Sequence, residues 1–131
     1  MTGVADTRLL IVFEFPPTEE AKRSTADLFQ REVARHLLAP SIVLTEFIKI
    51  AGPEIGEEGV RTRLRVLKER GMRVAPVEEE EALIAGNILL RHNDVPTADA
   101  LIASFVKTGA AEYVITDDPH FKRLGVKTKW Y

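Results

Sequence analysis

The sequence contains no cysteine. Disulfides, thiolate zinc sites and cysteine nucleophiles are thereby excluded, and the absence suits a reducing compartment. No apolar run approaches the roughly 20 residues that span a bilayer, and the first residues lack a basic-then-apolar signal pattern. A cytoplasmic location with no membrane partner is therefore expected. An excess of either charge is also missing: 18 Lys and Arg against 20 Asp and Glu leave a formal net charge of −2. Such a chain does not wrap nucleic acid by bulk charge, but acids gathered at one site with a basic rim remain compatible with a phosphate-bearing substrate. The three histidines, His36, His92 and His120, are scattered, which disfavours a histidine-based metal site. Glycine-rich phosphate loops, P-loops and Ser-His-Asp spacings are absent.

What is present is an ordinary globular composition, 45% apolar and 29% charged over 131 residues. That length suits a single domain, residues 1–131, with no repeat, linker or low-complexity segment. Strand-like and helix-like segments alternate. Residues 18–38 read as a helix, with Glu19 and Glu20 at its positive end, Ala26, Phe29, Val33 and Leu37 at helical spacing, and Pro40 ending it. Ile42-Val43-Leu44 is a short strand candidate leading into Thr45-Glu46. Val60, Leu64 and Leu67 mark a helix closed by Gly71, and residues 72–77 follow as a strand. Residues 78–91 read as a helix whose glutamates, Glu78 to Glu81, form a solvated first turn. Thr97 is the expected N-cap of a further helix, 98–106, apolar on nearly every side and hence buried. Tyr113 to Thr116 is the clearest strand, and 126–130 an edge strand. Strands separated by helices predict an α/β fold with a mostly parallel sheet. Its weakest element is the first strand, where Gly3 and few apolar residues precede Asp6.

Four carboxylates stand where apolar segments end: Asp6, Glu46, Asp99 and either Asp117 or Asp118. A charge in such a place is costly unless compensated, and a cation is the usual compensation. In open parallel sheets, ligands sit outside the carboxyl ends of the strands, the edge to which a helix N-terminus carrying Asp99 also points. The acids therefore converge by topology. Carboxylate and water oxygens suit Mg²⁺ or Mn²⁺, and hydrolysis of a phosphodiester is the chemistry this set serves best. Each residue also has a plainer reading. Asp6 caps a helix, Glu46 and Asp99 are acids favoured by a helix dipole, and Asp117-Asp118-Pro119 is a turn. Only the joint pattern carries the functional reading. His120 reads as a surface histidine, or as an aid to a metal-held water. Trp130-Tyr131 reads as packing against the sheet end, or as a platform for a base. Lys122, Arg123, Lys127 and Lys129 read as an exposed edge, or as phosphate contacts.

Asp6-Thr7, Thr45-Glu46-Phe47, Pro96-Thr97-Ala98-Asp99-Ala100-Leu101-Ile102-Ala103 and Val114-Ile115-Thr116-Asp117-Asp118-Pro119-His120-Phe121 resemble, in order and spacing, the motifs of PIN domains, in particular the small VapC-type toxins. The resemblance covers essentially the whole chain. It implies a three-layer α/β/α sandwich with a mostly parallel sheet. It also implies a Mg²⁺- or Mn²⁺-dependent ribonuclease in which Asp6, Glu46, Asp99 and Asp118 are catalytic and bind the metal, with Thr116 as a supporting hydroxyl. Matching Thr-x-Asp-x-x-Phe selects Asp118, with Asp117 as the alternate, although the distance from Asp99 is then one residue longer than expected. The further acid often found two residues on is His120 here. The implied reaction is in-line attack of a metal-activated water on an RNA phosphodiester, leaving a 3′-hydroxyl and a 5′-phosphate. The implied partners are RNA, a cognate antitoxin and a second copy in a homodimer.

The alternative from another class is a PIN-like domain without catalysis, acting in RNA binding or assembly, for which four clustered acids have no use. A receiver or phosphatase-like α/β domain wants an acid pair at the first strand and a lysine after a late one. The chain offers only Asp6 at the first of these.

Overall fold

Gly3–Ala5 forms the first strand, β1, and this weakest segment of the sequence lies at the middle of the sheet. Gly3 is what permits it: a Cβ there would stand 2.6 Å from the Tyr113 ring and 2.9 Å from Ile115. The computed structural model describes residues 1–131. After β1 come α1 (Thr7–Glu14), α2 (Glu19–Ala34), β2 (Leu38–Pro40), α3 (Ser41–Glu69), β3 (Arg73–Ala75), α4 (Glu79–Arg91), α5 (Thr97–Lys107), β4 (Tyr113–Ile115), α6 (His120–Arg123) and β5 (Thr128–Lys129). The strands run β3-β2-β1-β4-β5, and every pairing is parallel.

This order reverses direction between β1 and β4, a topological switch point of the kind that opens a crevice at the carboxyl ends of the strands. Right-handed crossovers place α1 to α3 on one face and α4 to α6 on the other. Accordingly α1 packs on α2 and α3, while α5 packs on α4 and α6. The expected α/β sandwich is thus present, with a wholly parallel sheet. Val4, Ala5, Val114 and Ile115 are completely buried in the sheet, and α5 buries Ala100, Ile102 and Ala103 against it.

Three local expectations are corrected. The second helix stops at Ala34, not at residue 38. His36 adopts a left-handed φ of 66°, and the Leu37 and His36 amides return to the carbonyls of Glu32 and Val33, each at 3.0 Å. This is a Schellman ending with histidine where glycine is usual, so no glycine marks it in the sequence. Leu37 is then free to enter the core ahead of β2. The strand itself is Leu38–Pro40, and Ile42-Val43-Leu44 is the first turn of α3. Pro40 holds φ −58° and ψ 144° and keeps Ala39 extended. From Ser41 onward Val43, Phe47 and Ala51 recur every four residues and are all fully buried, so helical burial outweighs local β-preference. Finally, Pro96 and not Thr97 occupies the N-cap of α5, and Thr97 is its first residue. Asp99 is therefore the third residue of that helix.

Elsewhere the expected elements are present, with the strands read at 72–77 and 126–130 shortened to Arg73–Ala75 and Thr128–Lys129. Thr18 caps α2 by accepting the Ala21 amide at 3.0 Å, and Gly71, at φ 117°, ends α3. Gly56, at φ 79°, breaks α3 into two arms.

Candidate metal centre

The acids assemble from the sheet edge outward. Asp6 follows β1 and takes the N-cap position of α1, yet its carboxylate makes no cap hydrogen bond. Instead Asp6 Oδ2 accepts the Thr116 hydroxyl at 2.7 Å, from just past the neighbouring strand β4. Thr116 Oγ1 in turn accepts the Asp118 amide at 3.0 Å, and Asp118 Oδ1 accepts the His120 amide at 2.9 Å. One buried hydroxyl therefore fixes both a carboxylate of β1 and the turn that follows β4. Asp99, in the first turn of α5, meets this turn across the switch point. His120 Nδ1 stands 3.3 Å from both Asp99 Oδ2 and Asp118 Oδ1. Ligand atoms of Asp99, Asp118 and His120 all lie within 4.8 Å of one another.

Glu46 belongs to the second turn of α3 rather than to a strand end, and the Thr7 hydroxyl donates to its Oε1 at 2.5 Å. Asp6 and Glu46 stand outside the tight group of three but share its field. Burial pushes the Asp6 carboxyl up to about 7, against the lowering effect of the Thr116 hydrogen bond and with help from the charges of Asp99 and Asp118. Burial likewise raises Asp99 to about 6, with the charges of Asp118 and Glu46 adding to it and His120 opposing. Asp117 points elsewhere, pairing with Arg8 at 3.2 Å.

Neither Asp6 nor Asp99 has a lysine or arginine partner to balance it. Nearby carboxylates that hold protons this firmly are relieved by a cation, and oxygen donors with one imidazole nitrogen suit a hard divalent ion. The donor set present thus fits Mg²⁺ or Mn²⁺.

The family model of the PIN domain matches residues 4–127. The chain belongs to the PIN domain family. No curated protein sequence matches this PIN domain, but solved structures share its fold. It is similar to a chain of VapBC2 from Rickettsia felis bound to a DNA fragment from its promoter, with a TM-score of 0.80 at 16% identity, covering 99% of this chain and 98% of that one. VapC20 from Mycobacterium tuberculosis, a toxin that cleaves the sarcin-ricin loop, superposes with a TM-score of 0.76 at 15% identity, covering 95% and 96%. DNA-bound VapBC from Salmonella typhimurium gives 0.75 at 21% identity, covering 99% and 98%.

Two residues beside this PIN domain's acid cluster are not singled out by the sequence. Thr7 stands out only as the residue after Asp6, and Arg8 carries no signal until the fold brings it to Asp117. His120 is drawn into the cluster because α6 begins directly after the Asp118 turn, so its ring faces Asp99. Of the four basic residues near it in sequence, Arg123 pairs with Asp94 at 2.8 Å and Lys129 turns below the sheet towards Glu32 at 3.4 Å. Lys122 remains beside the acids, lining the same cleft as Asp118. No helix is long and apolar enough to cross a membrane.

Proposed function

We propose that this PIN domain, spanning residues 1–131, is a divalent-metal-dependent endoribonuclease and the toxin of a VapBC-type toxin–antitoxin pair acting in the cytoplasm. The observation that carries the reading is the convergence of Asp6, Asp99 and Asp118 at the switch point with no basic side chain to neutralise Asp6 or Asp99. Family membership and the VapBC neighbours support it. Asp6, Asp99, Asp118 and Glu46 would hold Mg²⁺ or Mn²⁺. An ion held there would supply positive charge for the scissile phosphate and would make water more acidic.

The chain's own residues set the geometry. The Thr116 hydroxyl orients Asp6, the Thr7 hydroxyl orients Glu46, and His120 Nδ1 lies where it can hold a proton between Asp99 and Asp118. The proposed partners are RNA, an antitoxin and a second copy of the chain. Exposed Leu83 and Leu90, seven residues apart on one side of α4, support an apolar contact of that last kind.

Cleavage of RNA in Mn²⁺ or Mg²⁺, stopped by chelation and by Asp6→Asn or Asp99→Asn with the fold retained, is the expected result. Cleavage by those variants at the parent rate would overturn the assignment of the acids.

A further inference from the structure

Beside the acids, on the β5 side, lies a cleft of about 300 Å³ lined by Thr116, Asp117, Asp118, Pro119, Lys122, Thr128 and Trp130. It is continuous with the candidate metal centre, since Thr116 and Asp118 belong to both. The sheet register accounts for its far wall. The Thr116 amide donates to the Lys129 carbonyl at 3.0 Å, and Val114 pairs with Thr128. Alternation along the strand then sends Thr128 and Trp130 to the cleft and Lys129 to the opposite face, where its ammonium lies over the Tyr113 ring. Trp130 is half-buried, rests against the core, and is backed by Tyr131 at 5.0 Å between ring centroids. An indole held in this way is a preformed flat surface.

The charges select the occupant. Asp117 is paired with Arg8 and Asp118 faces His120 in the candidate metal centre, while Lys122 has no carboxylate partner and is exposed at the cleft. A flat aromatic face, a free ammonium and the Thr128 hydroxyl together fit a base joined to a phosphate. The volume lies at the small end of the roughly 300–1,000 Å³ of ligand pockets, so it takes one nucleotide and not a folded RNA element.

We infer that this cleft is a nucleotide subsite, in which Trp130 stacks on the base adjoining the scissile phosphate and Lys122 meets that nucleotide's phosphate. The inference rests on the ribonuclease reading for its place in the reaction, but not for its chemistry. It makes the enzyme a reader of unpaired RNA, because a base within a helix cannot reach the indole.

Trp130 is the only tryptophan in the chain, so its fluorescence reports on the cleft directly. Adenosine 5′-monophosphate and uridine 5′-monophosphate, titrated in Mg²⁺, should quench it saturably. Inorganic phosphate should not, and Lys122→Ala should weaken the effect. In cleavage of a single-stranded oligoadenylate, Trp130→Ala should raise KM about 5- to 150-fold, the equivalent of the roughly 1–3 kcal/mol of base–aromatic stacking, with kcat nearly unchanged. Trp130→Phe should restore most of the loss and guards against a folding defect. Quenching without cleavage in any divalent metal would sustain the subsite and overturn the nuclease reading. Cleavage with no nucleotide quenching and a parental KM in Trp130→Ala would do the reverse. Loss of both refutes both. Quenching by an arginine-containing peptide but not by either nucleotide would assign the cleft to a protein partner and end the proposal.

Discussion

Thr116 donates its hydroxyl to Asp6 Oδ2 at 2.7 Å across 110 residues of sequence, tying the ends of β4 and β1 together at the point where the sheet changes direction. The same oxygen accepts the Asp118 amide. Thr116→Val keeps the shape and removes both bonds. Because the hydroxyl lowers the Asp6 pKa, its loss should push that carboxyl further above about 7. Mn²⁺ affinity at neutral pH should then fall on the order of 10- to 100-fold, as for other residues that orient metal ligands. Part of it should return at higher pH as Asp6 ionises. Thr116→Ser should bind Mn²⁺ like the parent. Isothermal titration calorimetry at several pH values checks this, and equal affinities for valine and threonine would refute it.

Asp6 and Asp99 make the metal-free protein sensitive to pH in the sense opposite to a salt-bridged acid. Burial first, and neighbouring charge second, raise Asp6 to about 7 and Asp99 to about 6 from the ordinary aspartate value of 3.8. Between those values the folded state binds more protons than the unfolded state. Stability from these groups is therefore complete below pH 3.8 and is lost as pH rises through about 6 and 7. For Asp6 the loss is on the order of 4 kcal/mol. In chelator, melting temperature should decline across this window, and Asp6→Asn should flatten the decline and melt higher than the parent at pH 8. Saturating Mn²⁺ should reverse the slope, since binding favours the ionised carboxylates. A parent and an Asp6→Asn variant with the same pH profile in chelator would disprove it.

The convergence of the acids was legible because each follows a break that the physics makes visible: an apolar strand running into a turn at Asp118, or a buried helix opening at Asp99. The sheet was legible for the same reason, since Tyr113-Val114-Ile115 is apolar on both faces. What was illegible depended on contacts distant in sequence. β1 becomes central only because Gly3 admits the Tyr113 ring. α2 ends at a histidine in a conformation usual for glycine. Ile42-Val43-Leu44 carries β-branched residues, and the helix it joins is decided by Phe47 and Ala51 further on. Glu46 reaches the site's field although the strand expected just before it lies upstream, because the new helix starts at the same sheet edge.

The two neighbouring aspartates should separate cleanly. Asp117 is spent on Arg8, at 3.2 Å, on an exposed surface where such a pair contributes about 0–1 kcal/mol. Asp118 lies with Asp99 and His120 inside 4.8 Å. Asp117→Asn should leave metal affinity, and any RNA cleavage, within about twofold of the parent, given so weak a pair. Asp118→Asn should lower metal affinity at least tenfold, because it removes a carboxylate oxygen from the tight group. The reverse ranking of the two variants in Mn²⁺ titrations would place the fourth acid at Asp117.

On the opposite edge of the sheet Glu32 is completely buried, and the Tyr113 hydroxyl donates to its Oε1 through a short hydrogen bond. Its Oε2 accepts no hydrogen bond, although Lys129 Nζ is 3.4 Å away and Arg35 3.9 Å. The carboxylate thus depends on Tyr113 for its only direct donor. Tyr113→Phe should destabilise the fold by about 1–3 kcal/mol, the desolvation cost of an unmet buried acceptor. In a Glu32→Met background the same change should cost little, because the acceptor is gone. Denaturant unfolding of the two single variants and the double variant measures the coupling. Additive effects would mean that the hydrogen bond contributes nothing, and that Tyr113 serves only as packing for Gly3.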